Sequence, residues 1–157
     1  MFRKVLFPTD FSQGSYKAMK IFEEKNNVEI GELILMSVVD ESIVEEMMNG
    51  YSLRYNSEEN ELKDIEKKLT ERRIKELKEK GELAQEILKP KKLKLIVKFG
   101  IPYKKIVETA DEEDVSLIFL PSHGKLDFTH EIFGSTTCRV LKTTKKPVLL
   151  IKTYEEV

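Results

Sequence analysis

A polar segment in the last third of the chain carries the residues best suited to hold an anion. Gly124 and Gly134 bracket this segment, and Ser135 and Thr136 follow at the predicted start of a helix. Glycine lets a backbone approach a ligand closely or adopt a positive φ angle. The first turn of a helix offers unpaired N–H groups and a dipole that favours negative charge. Together these features indicate a phosphate cradle, and the alternative is a turn glycine followed by an ordinary helix cap.

Two further groups of candidate residues follow the first two predicted strands. Pro8, Thr9 and Asp10 end the first strand, and Val38 lies at the end of the second. In open α/β sheets, ligands bind beyond the carboxyl ends of the strands, near the point where the strand order reverses. Asp10 is therefore either a ligand contact, with a divalent ion near bound phosphates as one option, or a turn or helix-capping carboxylate.

The sequence offers no side-chain pair that indicates nucleophilic or acid–base catalysis. His123 lies next to the polar segment and His130 lies within it, where a lone histidine is typical of a loop residue. Cys138 is expected inside the last helix, facing the core, and not as a reactive thiol. Neither a G-x4-GK[ST] loop nor a G-x-G-x-x-G turn occurs. We therefore assign no catalytic residue.

Buried strands alternate with helices along the whole chain. Continuous apolar runs predict five strands, at Arg3–Pro8, Leu33–Val39, Leu93–Phe99, Val115–Leu120 and Pro147–Ile151. Helices are predicted after Ser12, from Ser57, from Pro102 and from Gly134. Runs of this kind suit strands that are covered on both faces, so the pattern predicts a five-stranded parallel sheet with helices on each side.

The predicted helix from Ser57 is long and amphipathic. Leu62, Ile65 and Leu69 form one apolar stripe, and charged residues fill the other face. Gly81 is expected to end or kink this helix. Before this helix, local signals are weak, and Tyr51–Tyr55 is interpreted as a loop or mobile helix. The wider segment 43–56 is expected to cover the cleft or to meet a partner.

Composition limits the classes of function. The chain has 157 residues and one cysteine, which suits a single domain over 1–157 in a reducing compartment. The apolar start is interrupted by Pro8 and Asp10, and no run of about 18 apolar residues occurs, so we expect a cytoplasmic protein without a membrane span.

A net charge of −1 gives no electrostatic reason to bind nucleic acid. Abundant Lys and Glu with little Gln resemble a thermophile's surface.

The spacing Gly124-x9-Gly134-Ser135 resembles the second half of the universal stress protein signature, G-x2-G-x9-G-[ST]. Pro121 stands where the signature has its first glycine. Other segments are also similar to the family, in the same order along the chain: KVLFPTDFS at 4–12, SVVD at 37–40, GIP at 100–102 and KPVLLI at 146–151. The resemblance therefore covers nearly the whole sequence.

This resemblance implies a Rossmann-like or flavodoxin-like fold with strand order 3-2-1-4-5, and binding of ATP, with or without Mg²⁺. The matching positions assign Asp10 and Val38 to the adenosine end and Leu120 to the base or ribose side. They assign ribose and phosphate contacts to a second group: Gly124, Gly134, Ser135 and Thr136. Members of the family commonly form homodimers through the last strand, here Pro147–Ile151.

Pro121 is the departure that affects the functional prediction. Proline has no N–H and fixes φ near −65°, so any donor or positive φ supplied by the first glycine is lost. One neutral hydrogen bond contributes about 1 kcal/mol, so the loss weakens a site severalfold. Three hypotheses stay open: a nucleotide-binding regulatory module, a slow ATP hydrolase that uses Lys125 and Asp10, and a dimeric interaction protein without a ligand.

Overall fold

The structure, a computed structural model of the chain, describes residues 1–11, 13–26, 29–46, 49, 59–122 and 135–153. Its strands are β1 (Phe2–Pro8), β2 (Ile30–Asp40), β3 (Lys92–Gly100), β4 (Leu117–Ser122) and β5 (Val148–Lys152). Its helices are α1 (Gln13–Asn26), α2 (41–46), α3 (Glu59–Leu88), α4 (Pro102–Glu112) and α5 (Ser135–Thr143). The predicted cap Ser12 and most of the segment 43–56 lie outside the described residues.

The five strands form one parallel sheet in the order β3-β2-β1-β4-β5, which confirms the predicted fold class. The chain adds strands on one side of β1 and then returns to its other side with β4. The order therefore reverses between β1 and β4, and at their carboxyl ends the flanking connections diverge to leave a crevice.

Two apolar layers hold the sheet between its helices. On one face, α1 and α3 pack through Ala18, Phe22 and Leu77, and the ring of Phe22 meets that of Phe119 edge-on at 5.4 Å. On the other face, α4 and α5 form the second layer with Ile106, Ala110 and Val140. The central strands are buried on both sides, as their unbroken apolar sequences predicted.

The boundaries of several elements differ from the predictions. The strand predicted at Val115–Leu120 is β4, Leu117–Ser122, so Pro121 continues a strand where a loop was expected. Gly81 does not end α3, which runs through it to Leu88. The physical reason is packing: a Cβ at Gly81 would lie 3.0 Å from Leu95 Cδ2, so glycine lets the helix approach β3 closely.

The predicted stripe on α3 has a defined partner. Ile65 and Leu69 pack against Val39 of β2 and Val44 of α2 in a small third cluster. The side chain of Leu62 lies outside the described part of α3. Within the described residues, no helix is long and apolar enough to cross a membrane.

A network of ion pairs joins the amino-terminal ends of three strands. Lys94 Nζ lies 2.6 Å from Glu113 Oε1, and Lys4 Nζ donates to the Glu113 backbone carbonyl at 2.9 Å and lies 3.4 Å from its Oε2. Lys4 also lies 3.8 Å from Glu32. The network therefore links β1, β2 and β3 to the end of α4, at the edge of the sheet opposite the crevice.

The hydrogen bond from Lys94 is the main reason that the pKa of the Glu113 carboxyl lies below its ordinary value, and Lys4 lowers it further. A lowered carboxyl pKa stabilises the fold above the unfolded value of about 4.3, and this contribution is lost as the pH falls through the folded value.

We expect Glu113→Gln to lower the melting temperature at pH 7, and the difference from wild type to shrink as the pH falls below about 4.3 and through the lowered pKa of Glu113, where its carboxyl becomes neutral. Thermal unfolding by circular dichroism at several pH values measures this. Glu112→Gln is the control, because the ion pair of Glu112 with Lys98 is looser, at 3.9 Å, and Glu112 lies outside the network around Glu113. A difference that stays constant down to pH 3 would contradict the assignment.

Substitution of Gly31 and of Gly81 by alanine gives a second prediction, because the effect on stability should differ between the two positions. A Cβ at Gly31 would lie 2.6 Å from the Arg3 carbonyl oxygen, an atom of the neighbouring strand that cannot move away alone. Gly31→Ala should therefore destabilise the protein by about 1–3 kcal/mol. Gly81→Ala should be near neutral, because only a leucine methyl must shift and alanine favours the helix by about 1 kcal/mol. Chemical denaturation measures both, and equal losses would contradict the account.

Candidate functional site

A cavity of about 310 Å³ opens at the carboxyl ends of β1, β2 and β4, where the strand order reverses. Its described lining residues come from seven elements or their flanking turns: Pro8, Thr9, Asp10, Ser15, Met36, Val38, Arg73, Pro102, Ile106, Leu120, Pro121, Ser135, Thr136 and Thr137. The volume lies at the lower end of the range for small-molecule sites.

The structure brings the described candidate residues together in this cavity. Seven of the nine residues predicted from the sequence line it: Pro8, Thr9, Asp10, Val38, Leu120, Ser135 and Thr136. The other two, Gly124 and Gly134, lie outside the described residues, as do His123, Lys125 and His130. The roles of all nine in binding remain predictions.

The turn from β1 to α1 is held in an uncommon conformation. Thr9 N donates to the Met36 carbonyl at 2.8 Å, and Phe11 N donates to Thr9 Oγ1 at 3.1 Å. Phe11 has φ 64°, a left-handed conformation that costs a non-glycine residue energy. Ser15 Oγ donates to Asp10 Oδ1 at 3.3 Å. The turn therefore fixes Asp10 at the mouth of the cavity.

Arg73 of α3 is a lining residue that the sequence analysis missed. Its Nη1 donates to Ser37 Oγ at 3.1 Å and to the Val38 carbonyl at 3.4 Å. Its Cζ also lies 5.5 Å from the centre of the Phe11 ring. No local signal distinguishes Arg73 from the other cations of α3, because its direction depends on how the helix packs on β2.

The start of α5 gives the cavity its hydroxyl groups. Ser135 is exposed, Thr136 is half-buried and Thr137 is buried, and all three line the cavity. Because they occupy the first turn of the helix, they accompany backbone N–H groups that have no partner within α5. Thr137 was not predicted, although the run Ser135-Thr136-Thr137 was a visible signal.

Pro102 and Ile106 add an apolar wall that was also missed. Pro102 is the first residue of α4, where a missing N–H costs nothing, and Ile106 follows one turn later and is buried. With Met36, Val38 and Leu120, they make much of the cavity apolar. The described lining contains one carboxylate, Asp10, and one guanidinium, Arg73.

Pro121 contributes to this apolar wall as part of β4. It pairs with Ile151 of β5, is buried, and has no left-handed backbone angle. The extended conformation is one that proline adopts readily, so the strand accommodates it. The backbone at residue 121 therefore does not need the left-handed conformation that proline cannot adopt. Proline still lacks the N–H donor that glycine would have at this position.

The lining has the two kinds of surface that a nucleotide would need. Apolar side chains surround one part of the cavity, as a base requires, and hydroxyls with a helix N-terminus lie at another, as phosphates require. Within the described residues, no group of three His, Cys, Asp or Glu side chains forms a metal centre. Any Mg²⁺ would therefore depend on the phosphates, and Asp10 is the one carboxylate in the described lining.

Fold and site together define a doubly wound parallel α/β protein with a small-molecule cavity at its switch point. Comparison with known proteins then gives the family. The model of the universal stress protein family matches residues 1–152, and the chain belongs to this family.

Similar proteins support this membership over nearly the full length. The universal stress protein MJ0577 of Methanocaldococcus jannaschii is 35% identical over 162 residues, which cover 97% of this chain and 96% of that protein. Its solved structure matches with a TM-score of 0.72 at 32% identity over 99% of both chains. The crystal structure of a hypothetical protein, PH0823, matches with a TM-score of 0.82 at 50% identity over all of both chains.

A more distant structure shares the fold alone. It is a universal stress protein family protein from Arabidopsis thaliana, At3g01520, solved with AMP bound. The identity is 15% and the TM-score 0.52, over 96% of this chain and 91% of that one.

The strand conformation of Pro121 gives a stability prediction. Pro121→Gly should destabilise the protein by about 1 kcal/mol, because the unfolded chain gains freedom and the wall loses an apolar ring. Urea denaturation measures the change. An increase in stability would show instead that proline is strained in β4.

Proposed function

We propose that this protein is a nucleotide-binding regulatory module that holds an adenine nucleotide, ATP foremost, in the cavity at the switch point. The proposal treats residues 1–157 as one domain. The observation that carries it is the start of α5, where Ser135, Thr136 and Thr137 line an otherwise largely apolar cavity. A universal stress protein family protein of the same fold, from Arabidopsis thaliana, was solved with AMP bound, which agrees with this proposal.

Each end of the ligand has its own set of residues in this proposal. The adenosine end meets Asp10 and Val38, with Leu120 on the base or ribose side, while Pro8 and Thr9 shape the turn beside it. The ribose and phosphates meet Ser135 and Thr136 together with Gly124 and Gly134. Mg²⁺, when present, is held by the phosphates and the Asp10 carboxylate.

The test removes one hydroxyl at the phosphate end. Thr136→Val keeps the shape of the side chain but not its hydrogen bond, so we expect ATP affinity to fall about tenfold, since a hydrogen bond to a charged group contributes about 1.5–3 kcal/mol. Isothermal titration calorimetry measures the dissociation constants.

Thr143→Val is the matched control, because Thr143 is exposed at the far end of the same helix. It should bind ATP as the wild type does. Equal affinity of Thr136→Val and wild type would count against the phosphate site. No ATP binding by the wild-type protein would remove the proposed function.

A second proposal concerns the assembly. β5 is an edge strand of the described sheet and pairs only with β4. Its apolar sequence presents an unpaired backbone, an arrangement that proteins usually cover. We propose a homodimer through Pro147–Ile151, with or without bound nucleotide. Sedimentation velocity should show a dimer at micromolar concentration, and a strict monomer at high concentration would rule it out.

A further inference from the structure

Arg73 contacts neutral hydrogen-bond acceptors, whereas seven other cations of the described structure have a carboxylate partner. Lys4, Lys94, Lys98, Lys105 and Lys146, with Arg3 and Arg72, each lie within 4.0 Å of a carboxylate. None of the ion pairs among the described residues includes Arg73. Its hydrogen-bond acceptors are neutral, namely Ser37 Oγ and the Val38 carbonyl.

This arrangement leaves N–H groups of the Arg73 guanidinium that can donate hydrogen bonds into the cavity. A guanidinium has five N–H donors and stays charged at any pH that the fold survives. The two neutral acceptors engage Nη1, while Arg73 as a whole is half-buried and lines the cavity. These two hydrogen bonds therefore leave the Nε and Nη2 donors of the guanidinium for an acceptor in the cavity, which can be a neutral atom.

The strand that Arg73 contacts from α3 decides which end of a ligand it meets. Its hydrogen bonds place it at the end of β2, which is two strands from β4 in the order of the sheet. Two strand spacings are about 10 Å. A phosphate at the start of α5, beside β4 and β5, therefore lies well away from the guanidinium. Arg73 faces the other end of the same cavity.

We propose that Arg73 is a specificity-determining residue that donates a hydrogen bond to a ring nitrogen of the bound purine. This inference rests on the proposed function and names a contact at its base end. The guanidinium has donors and no acceptor, so it selects a base that presents an acceptor towards β2. The Phe11 ring on one side and Ser37 with Val38 at Nη1 hold its orientation.

The first experiment measures dissociation constants of adenosine, AMP and ATP by calorimetry for wild type, Arg73→Gln and Arg73→Lys. Arg73→Gln should weaken all three ligands by the same factor, about 10- to 100-fold, because the contact lies at the part they share. Arg73→Lys should restore part of the affinity, since it keeps the charge but loses the planar fork.

Arg72→Gln is the matched control. Arg72 precedes Arg73 on α3, is 80% exposed and pairs with Glu76 at 3.5 Å, so its loss should leave all three affinities unchanged. A second experiment repeats the titrations with 1-deaza-, 3-deaza- and 7-deazaadenosine. The analogue that lacks the contacted nitrogen should bind wild type and Arg73→Gln equally.

The contrary outcomes are distinct. If the loss of affinity caused by Arg73→Gln grows from adenosine to ATP, Arg73 contacts the phosphates and the proposed base contact is wrong. Unchanged affinities with a lower melting temperature would make Arg73 a structural tether. The same Arg73→Gln effect on all three deaza analogues would exclude a ring nitrogen. If wild type binds none of the ligands, the proposed function itself fails, and this inference fails with it.

Discussion

Burial of β1 and β2 on both faces of the sheet is the constraint on which the rest of the structure depends. Leu6, Phe7, Ile34 and Leu35 have no exposed surface, and each contributes about 1.5–3 kcal/mol by leaving water. Strands buried on both sides need helices on both sides, and parallel neighbours need crossover connections. With β1 in the centre, the order reverses beside it, and a crevice opens at its carboxyl end.

The two ends of the sheet are used differently. At the amino ends, Lys4, Glu32, Lys94 and Glu113 form ion pairs that connect three strands to α4. At the carboxyl ends, the described cavity lining has Asp10 and Arg73 as its charged residues among apolar and hydroxyl side chains. The ion-pair network therefore lies at the end of the sheet away from the cavity, and the two charged residues of the described lining lie at the end where a ligand can enter.

The order and type of the elements were predictable because consecutive apolar residues suit only buried segments. The residues at which the strands begin and end were less predictable. Gly31 and Glu32 precede the apolar run and look like a turn, yet pairing with β1 extends β2 back to Ile30. The candidate residues at strand ends, such as Asp10 and Val38, were predictable from topology. Arg73 and Phe11 were not, because their positions follow from how α3 packs and from a left-handed turn.

The nucleotide content of the purified protein tests the central claim most directly. The protein is denatured, the polypeptide is removed, and the supernatant is separated by ion-exchange chromatography beside nucleotide standards. The chain has no tryptophan, so even the native absorbance spectrum reports a bound adenine. The account predicts an adenine nucleotide in near-stoichiometric amount, or heat stabilisation of empty protein on adding ATP and magnesium. An empty supernatant together with no heat stabilisation would contradict it.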